Sequence, residues 1–122
     1  MSETKLVSAI LDALAAEPGV VAWRNSVGAR GHRRFGLGVG SADIIACVAP
    51  AGRFVGLEAK AADGVLSNPQ YEWGLDVREN GGVYGVVYSV ADARRVIAHA
   101  RDQTRAMPMT CQGKSRNVTR RR

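Results

Sequence analysis

Glu58 and Lys60 stand two residues apart at the end of an apolar, β-rich segment running from Arg53 to Ala59 (RFVGLEA). Alternate residues of an extended chain leave the same face, so the carboxylate and the ammonium can reach one target. A second segment of the same kind, Ala42 to Val48 (ADIIACV), precedes it across Ala49-Pro50-Ala51-Gly52, the composition of a short hairpin turn. Folding the chain there sets Asp43 opposite Glu58 to within a residue of register, at a cross-strand Cβ separation of about 4.5 to 5.5 Å. Two neighbouring carboxylates repel each other unless a cation lies between them, and oxygen ligands on stiff strands suit a hard ion such as Mg²⁺ or Mn²⁺. Such an ion would polarise a phosphoryl oxygen and acidify a bound water, and Lys60 would orient that water or stabilise transition-state charge. The chemistry implied is phosphodiester hydrolysis. The competing reading makes Asp43 a strand-end cap and Glu58 with Lys60 an ordinary surface pair worth about 0 to 1 kcal/mol.

The elements that must position these residues are legible in the pattern. Leu6, Val7, Ile10, Leu11 and Leu14 recur at helical spacing, which predicts an amphipathic helix from about Glu3 to Ala16, ended by Pro18-Gly19. Val20 to Trp23 is a short strand. Asn25 to Gly40 is glycine-rich, holds Arg30, His32, Arg33 and Arg34, and reads as a mobile loop. Ser67-Asn68-Pro69-Gln70 supplies an N-cap, a first-turn proline and a capping-box glutamine for a helix lasting to about Glu79. Val83 to Tyr88 is a buried-type strand after Asn80-Gly81-Gly82, and Ser89 to Asp92 caps a final helix that ends near Arg101. The order helix, strand, loop, hairpin, helix, strand, helix predicts one α/β domain with a mixed sheet flanked by helices, its last strand parallel. Trp23, Tyr71 and Trp73, each inside an apolar element, are expected in the core or an interface.

Charge divides the chain. The 17 Lys and Arg exceed the 11 Asp and Glu by six, and the excess lies in Arg101, Arg105, Lys114, Arg116, Arg120, Arg121 and Arg122, opposed there by Asp102 alone. Residues 1-101 are therefore expected to form the folded domain and 102-122 a basic, disordered tail, either a solubilising end or a non-specific phosphate-binding arm. Cys47 and Cys111 match neither a disulfide framework nor a zinc spacing. No apolar run is long enough to span a bilayer and the first residues do not resemble a signal peptide, so a soluble, intracellular protein without a membrane partner is expected.

The combination of Gly40-Ser41-Ala42-Asp43-Ile44-Ile45 with Glu58-Ala59-Lys60 resembles the D…E-x-K signature of the PD-(D/E)xK nuclease superfamily. Leu66 to Trp73 (LSNPQYEW), the strand NGGVYGVVY and the final SVADA helix resemble its virus-type replication-repair nuclease (VRR-NUC) branch, over roughly residues 3 to 100. That resemblance implies a restriction-endonuclease-like fold, Asp43 and Glu58 as metal ligands with the Ala59 carbonyl, Lys60 as catalytic lysine, Gln70 as a supporting catalytic residue, and Glu3 as a first-helix acid at the metal. Gln70 also has a sufficient role in the capping box with Ser67, and Glu3 one in favouring the helix dipole. The family pattern has proline directly before the motif aspartate, where this chain has Ala42.

Arg24, Asn25, Arg30, Arg33 and Arg34, just ahead of the motif, are expected to flank the cleft and contact nucleic-acid phosphates, Arg24, Arg33 and Arg34 foremost among the arginines. The resemblance further implies a Mg²⁺-dependent (or Mn²⁺-dependent) endonuclease acting on DNA, selective for branched, junction or flap structures, working as a homodimer in the cytoplasm of a bacterium or a phage-infected cell. The alternative is a non-catalytic DNA-binding module that relies on the basic tail.

Overall fold

Ser2 opens the first helix, its hydroxyl accepting the Lys5 amide, and α1 then runs over Glu3–Ala15. Its apolar stripe, Leu6, Val7, Ile10 and Leu14, is buried, each such side chain contributing about 1.5 to 3 kcal/mol relative to exposure. The computed structural model describes residues 1–102; the basic tail anticipated from composition lies, beyond Asp102, outside the described residues.

Four strands make the main sheet: β1 (Val20–Arg24), β4 (Ile44–Val48), β5 (Arg53–Ala59) and β6 (Val83–Val87), in the order β1-β4-β5-β6. The first three are antiparallel neighbours, and β6 joins β5 in parallel. A parallel return needs a crossover, which is α2 (Asn68–Glu79); α3 (Val90–Arg101) follows β6. The described residues thus form a small single-domain α/β fold with a mixed sheet and three helices. Among the described residues no helix is long and apolar enough to cross a membrane.

Period-two alternation sorts the sheet residues by face. Ile44, Ala46, Val48, Val55, Leu57, Ala59, Val83 and Val87 meet the buried stripes of α1 and of α3 (Ala93, Ile97, Ala100) in one core. The other face carries Asp43, Ile45 and Cys47 from β4 and Phe54, Gly56, Glu58 and Lys60 from β5 and its end. Here α2 packs through Trp73, whose ring lies between Phe54 and Tyr84 at centroid distances of 6.2 and 5.9 Å.

Two expectations need correction. The segment from Asn25 to Gly40 is not an irregular loop throughout: β2 (Gly28–Arg30) and β3 (Arg33–Phe35) pair as a separate antiparallel hairpin. Of the aromatics expected in the core or an interface, Trp73 packs under α2 whereas Trp23 and Tyr71 are 54% and 55% exposed; for Trp23 the reason is that α2 lies over β5 and β6 and leaves the same face of β1 and β4 open. β4 starts at Ile44 rather than Ala42, since the Ala42 carbonyl accepts a side-chain amide in place of a ladder bond.

Gly56 sets the height of α2 above the sheet. A Cβ there would lie 2.8 Å from Cζ3 of Trp73 and 3.2 Å from the Ala42 Cβ, so any larger residue must lift the helix. Gly56→Ala is expected to lower stability by about 1 to 3 kcal/mol, the usual cost of overpacking, measured as a fall in the urea midpoint. An unchanged midpoint would show that α2 is not held at that spacing.

Candidate active site

The β4–β5 register decides which acids meet. Ile44 pairs with Leu57, and one step outward along both strands Asp43 comes opposite Glu58 on the α2 face. Asp43 is fixed there by its own side chain, Oδ2 accepting the Ala59 amide at 2.9 Å, and by its carbonyl, which accepts the Asn25 amide at 2.8 Å. Alanine at position 42, where the resembled family has proline, thus leaves the aspartate held on both sides.

Glu58 and Lys60 are buried, 3% and 9% exposed. The first turn of α2 reaches both through Gln70: its Nε2 donates to Glu58 Oε2 at 3.0 Å, and its Oε1 accepts from Lys60 Nζ at 2.9 Å. The same oxygen accepts the Ser67 amide at 2.9 Å, while the Ser67 hydroxyl accepts the Gln70 amide at 3.3 Å. One oxygen faces two donors and the amide nitrogen faces a carboxylate, so the orientation of the Gln70 amide is set by chemistry. The capping box and a bridge between Glu58 and Lys60 are therefore two uses of one side chain. Lys60 Nζ is 3.8 Å from Glu58 Oε2, and the Lys60 amide is tied to the Val87 carbonyl at 3.0 Å.

Glu3 arrives from the opposite layer. Its Oε2 accepts the Ala61 amide at 3.2 Å, so the start of α1 borders the end of β5. Among the described residues no three His, Cys, Asp or Glu side chains gather closely enough to form a metal-holding group; Glu3 stands at the rim rather than beside Asp43 and Glu58 as a third side-chain ligand. Tyr84, packed under α2 against Trp73, has a buried hydroxyl without a hydrogen-bond partner. Burial, then the charges of Glu58 and Asp43, push this hydroxyl above its ordinary range, so it stays protonated.

Burial first and then the Asp43 charge, opposed by Lys60 and aided by hydrogen bonding to Asp43 and the charge of Glu3, together raise the Glu58 carboxyl from about 4.5 to about 8. Glu58 Oε1 is buried and, among the described residues, has no hydrogen-bond partner. Once Glu58 ionises, the facing acids Asp43 and Glu58 together with Glu3 at the rim outnumber the Lys60 ammonium, an imbalance that a divalent cation would cancel, and the free Glu58 oxygen would be available to ligate it. With no His or Cys among the donors, the chemistry fits a hard cation held by Asp43, Glu58, the Ala59 carbonyl and water.

The residues expected to touch phosphates separate. Arg24 pairs across the sheet with Ile44 and donates to the Ser8 hydroxyl of α1 at 3.0 Å, on the face opposite the acids. Asn25 is fully engaged: its amide nitrogen donates to Ser41 Oγ (2.8 Å) and the Ala42 carbonyl (2.7 Å), and its oxygen accepts the Leu37 amide (3.3 Å). It clasps both roots of the hairpin rather than offering itself to a ligand. Arg33 and Arg34 are on β3 and exposed, opposite Arg30 and Ala29. The signal that could have found this hairpin is Gly31-His32 between GAR and RRF, a two-residue turn. Tyr84 carried no sequence signal beyond β propensity.

Comparison with protein-family models, curated proteins and solved structures finds no match to this chain.

The proton on Glu58 couples the site to stability. The unfolded chain releases it near 4.5 whereas the folded protein keeps it to about 8, so this group's contribution is complete below 4.5 and is lost as pH rises through that window. Urea titrations in EDTA should show stability falling between pH 5 and 8 with a slope approaching about 1.4 kcal/mol per pH unit. Glu58→Gln is expected to abolish that slope, and a wild-type curve as flat as the variant's would contradict the buried protonated acid.

Proposed function

We propose that the protein is a divalent-metal-dependent endonuclease of restriction-endonuclease-like fold, acting on the phosphodiester backbone of DNA. The observation that carries this reading is the cluster of buried Glu58 and Lys60 with half-buried Asp43, in which one Glu58 oxygen has no hydrogen-bond partner among the described residues. Setting a buried carboxyl against a second, half-buried one raises the free energy of the fold unless a cation compensates them, and a structural role alone requires neither acid. A Mg²⁺ or Mn²⁺ held by Asp43, Glu58 and the Ala59 carbonyl would supply Lewis acidity toward a phosphoryl oxygen and lower the pKa of bound water.

The chain's own groups do the remaining work. Asp43, anchored on the Ala59 amide, presents its second oxygen to the site. Lys60, fixed by Gln70 Oε1, keeps an ammonium beside Glu58, where it stabilises negative charge developing on a phosphate or orients the attacking water. Gln70 sets the spacing of Glu58 and Lys60 and is a positioning residue in this scheme. Glu3, on the Ala61 amide, adds negative charge at the rim that strengthens cation binding. The resemblance to VRR-NUC domains supports DNA as the substrate and branched, junction or flap structures as its preferred form. A non-catalytic DNA-binding module is the competing reading, and the two acids speak against it because they repel phosphate in the absence of a cation.

Dimerisation belongs to the same proposal. Val21, Trp23, Cys47 and Phe54 form an exposed apolar strip across β1, β4 and β5 on the face that carries the acids. It holds no charge of its own, so a second copy presenting the same strip is its natural complement, and an interface there would put both active sites on one side of the assembly for paired cuts. Trp23→Asp should convert a dimer at micromolar concentration to a monomer by light scattering; a monomeric wild type would remove the proposal.

Supercoiled plasmid and four-way-junction DNA, incubated with wild type and Lys60→Ala in Mg²⁺, Mn²⁺ or EDTA, test the activity. Wild type should nick only with metal, and Lys60→Ala should be slower by about 10²- to 10³-fold, the typical cost of one charge-stabilising donor. Absence of metal-dependent cleavage on every substrate would favour the binding module.

A further inference from the structure

We infer that the β2–β3 hairpin is a wing that grips a DNA duplex beside the active site. In the hairpin register Arg30 is directly opposite Arg33, and Ala29 opposite Arg34. Like charges directly opposite on a two-stranded sheet destabilise it, and this pair has no counter-charge: no acid occurs between Arg24 and Asp43, and among the described residues no ion pair involves Arg30, Arg33 or Arg34. A hairpin serving only solubility would gain from alternating signs. The arrangement is favourable when the counter-charge arrives with the ligand.

The wing is built to keep its shape. Gly31, at φ +64°, makes the two-residue turn at the tip with His32. The Phe35 ring covers Gly28, where a Cβ would lie 2.6 Å from Cζ. At the base Asn25 joins Leu37, Ser41 and Ala42 through its side chain and Asp43 through its backbone, so the roots of the wing are pinned one residue from a proposed metal ligand. A two-stranded ribbon fits the major groove of B-DNA, about 12 Å wide. Arg30 and Arg33 on one face, with Arg34 on the other, then meet phosphates on the two walls. The inference rests on the nuclease reading for its choice of duplex DNA among polyanions; Arg30, Arg33 and Arg34, expected from the sequence to reach phosphates, do so in it as one rigid ribbon rather than as a mobile loop.

The test uses the full chain with Arg30, Arg33 and Arg34 all changed to Gln, and a second variant with all three changed to Lys. Binding to a fluorescent duplex is followed by anisotropy in EDTA from 50 to 300 mM NaCl. Losing three phosphate contacts should reduce the slope of log K against log salt by about 2 to 3, whereas the Lys variant should keep the wild-type slope. Unchanged melting temperatures of both variants exclude misfolding. A Gln-variant slope equal to wild type overturns the wing, as does an equal loss of affinity for a short single strand. Mg²⁺-dependent cleavage by the wild type is measured in parallel. If wild type fails to cut but the slope still falls, the nuclease reading is lost and the wing stands; if wild type cuts and the slope is unchanged, the wing is lost and the nuclease reading stands.

Discussion

The register of β4 against β5 is the constraint on which the site depends. Because Ile44 pairs with Leu57, Asp43 and Glu58 come out on one face, and a slip of one residue would turn either acid into the apolar layer under α1 and α3. The slip is opposed from both sides of the sheet. On the core face Ile44, Ala46 and Val48 have no other place to be buried, and on the site face Asp43 replaces a missing ladder bond by accepting the Ala59 amide. The cost of setting two carboxyls together is thus carried by the hydrophobic packing of the opposite face.

The helices complete the site through their first turns. Gln70 leaves the capping box of α2 to touch Glu58 and Lys60, and Glu3 leaves the start of α1 to accept the Ala61 amide. Two helices from opposite layers therefore end at the same point of β5. That convergence explains why Gly56 is small: the aromatic stack of Phe54, Trp73 and Tyr84 brings α2 close enough for a glutamine side chain to bridge the pair.

Much of this is legible in the order of the residues. Helical spacing of Leu6 to Leu14, the capping signature at Ser67 to Gln70 and the turn around Pro50 each rest on local chemistry, and α1, α2 and the central hairpin fall within a residue or two of expectation. Asp43 opposite Glu58 follows from counting outward from the turn. What local pattern does not reveal is set by long-range packing. The exposure of Trp23 depends on how far α2 extends over the sheet, which no spacing encodes. Asn25 and Arg24 look alike as polar residues after a strand, yet one turns to the hairpin roots and the other to Ser8. The β2–β3 pairing is hidden because its strands are three residues long and β2 opens with glycine and alanine, which are depleted in strands.

Asn25 joins regions that are otherwise separate. Its backbone amide holds the carbonyl of Asp43 and its side chain holds the ends of the arginine-bearing ribbon, so ribbon and acid share one fulcrum. Displacing Asn25 would therefore loosen two places at once, the base of the ribbon and the strand end that carries the Asp43 carboxylate.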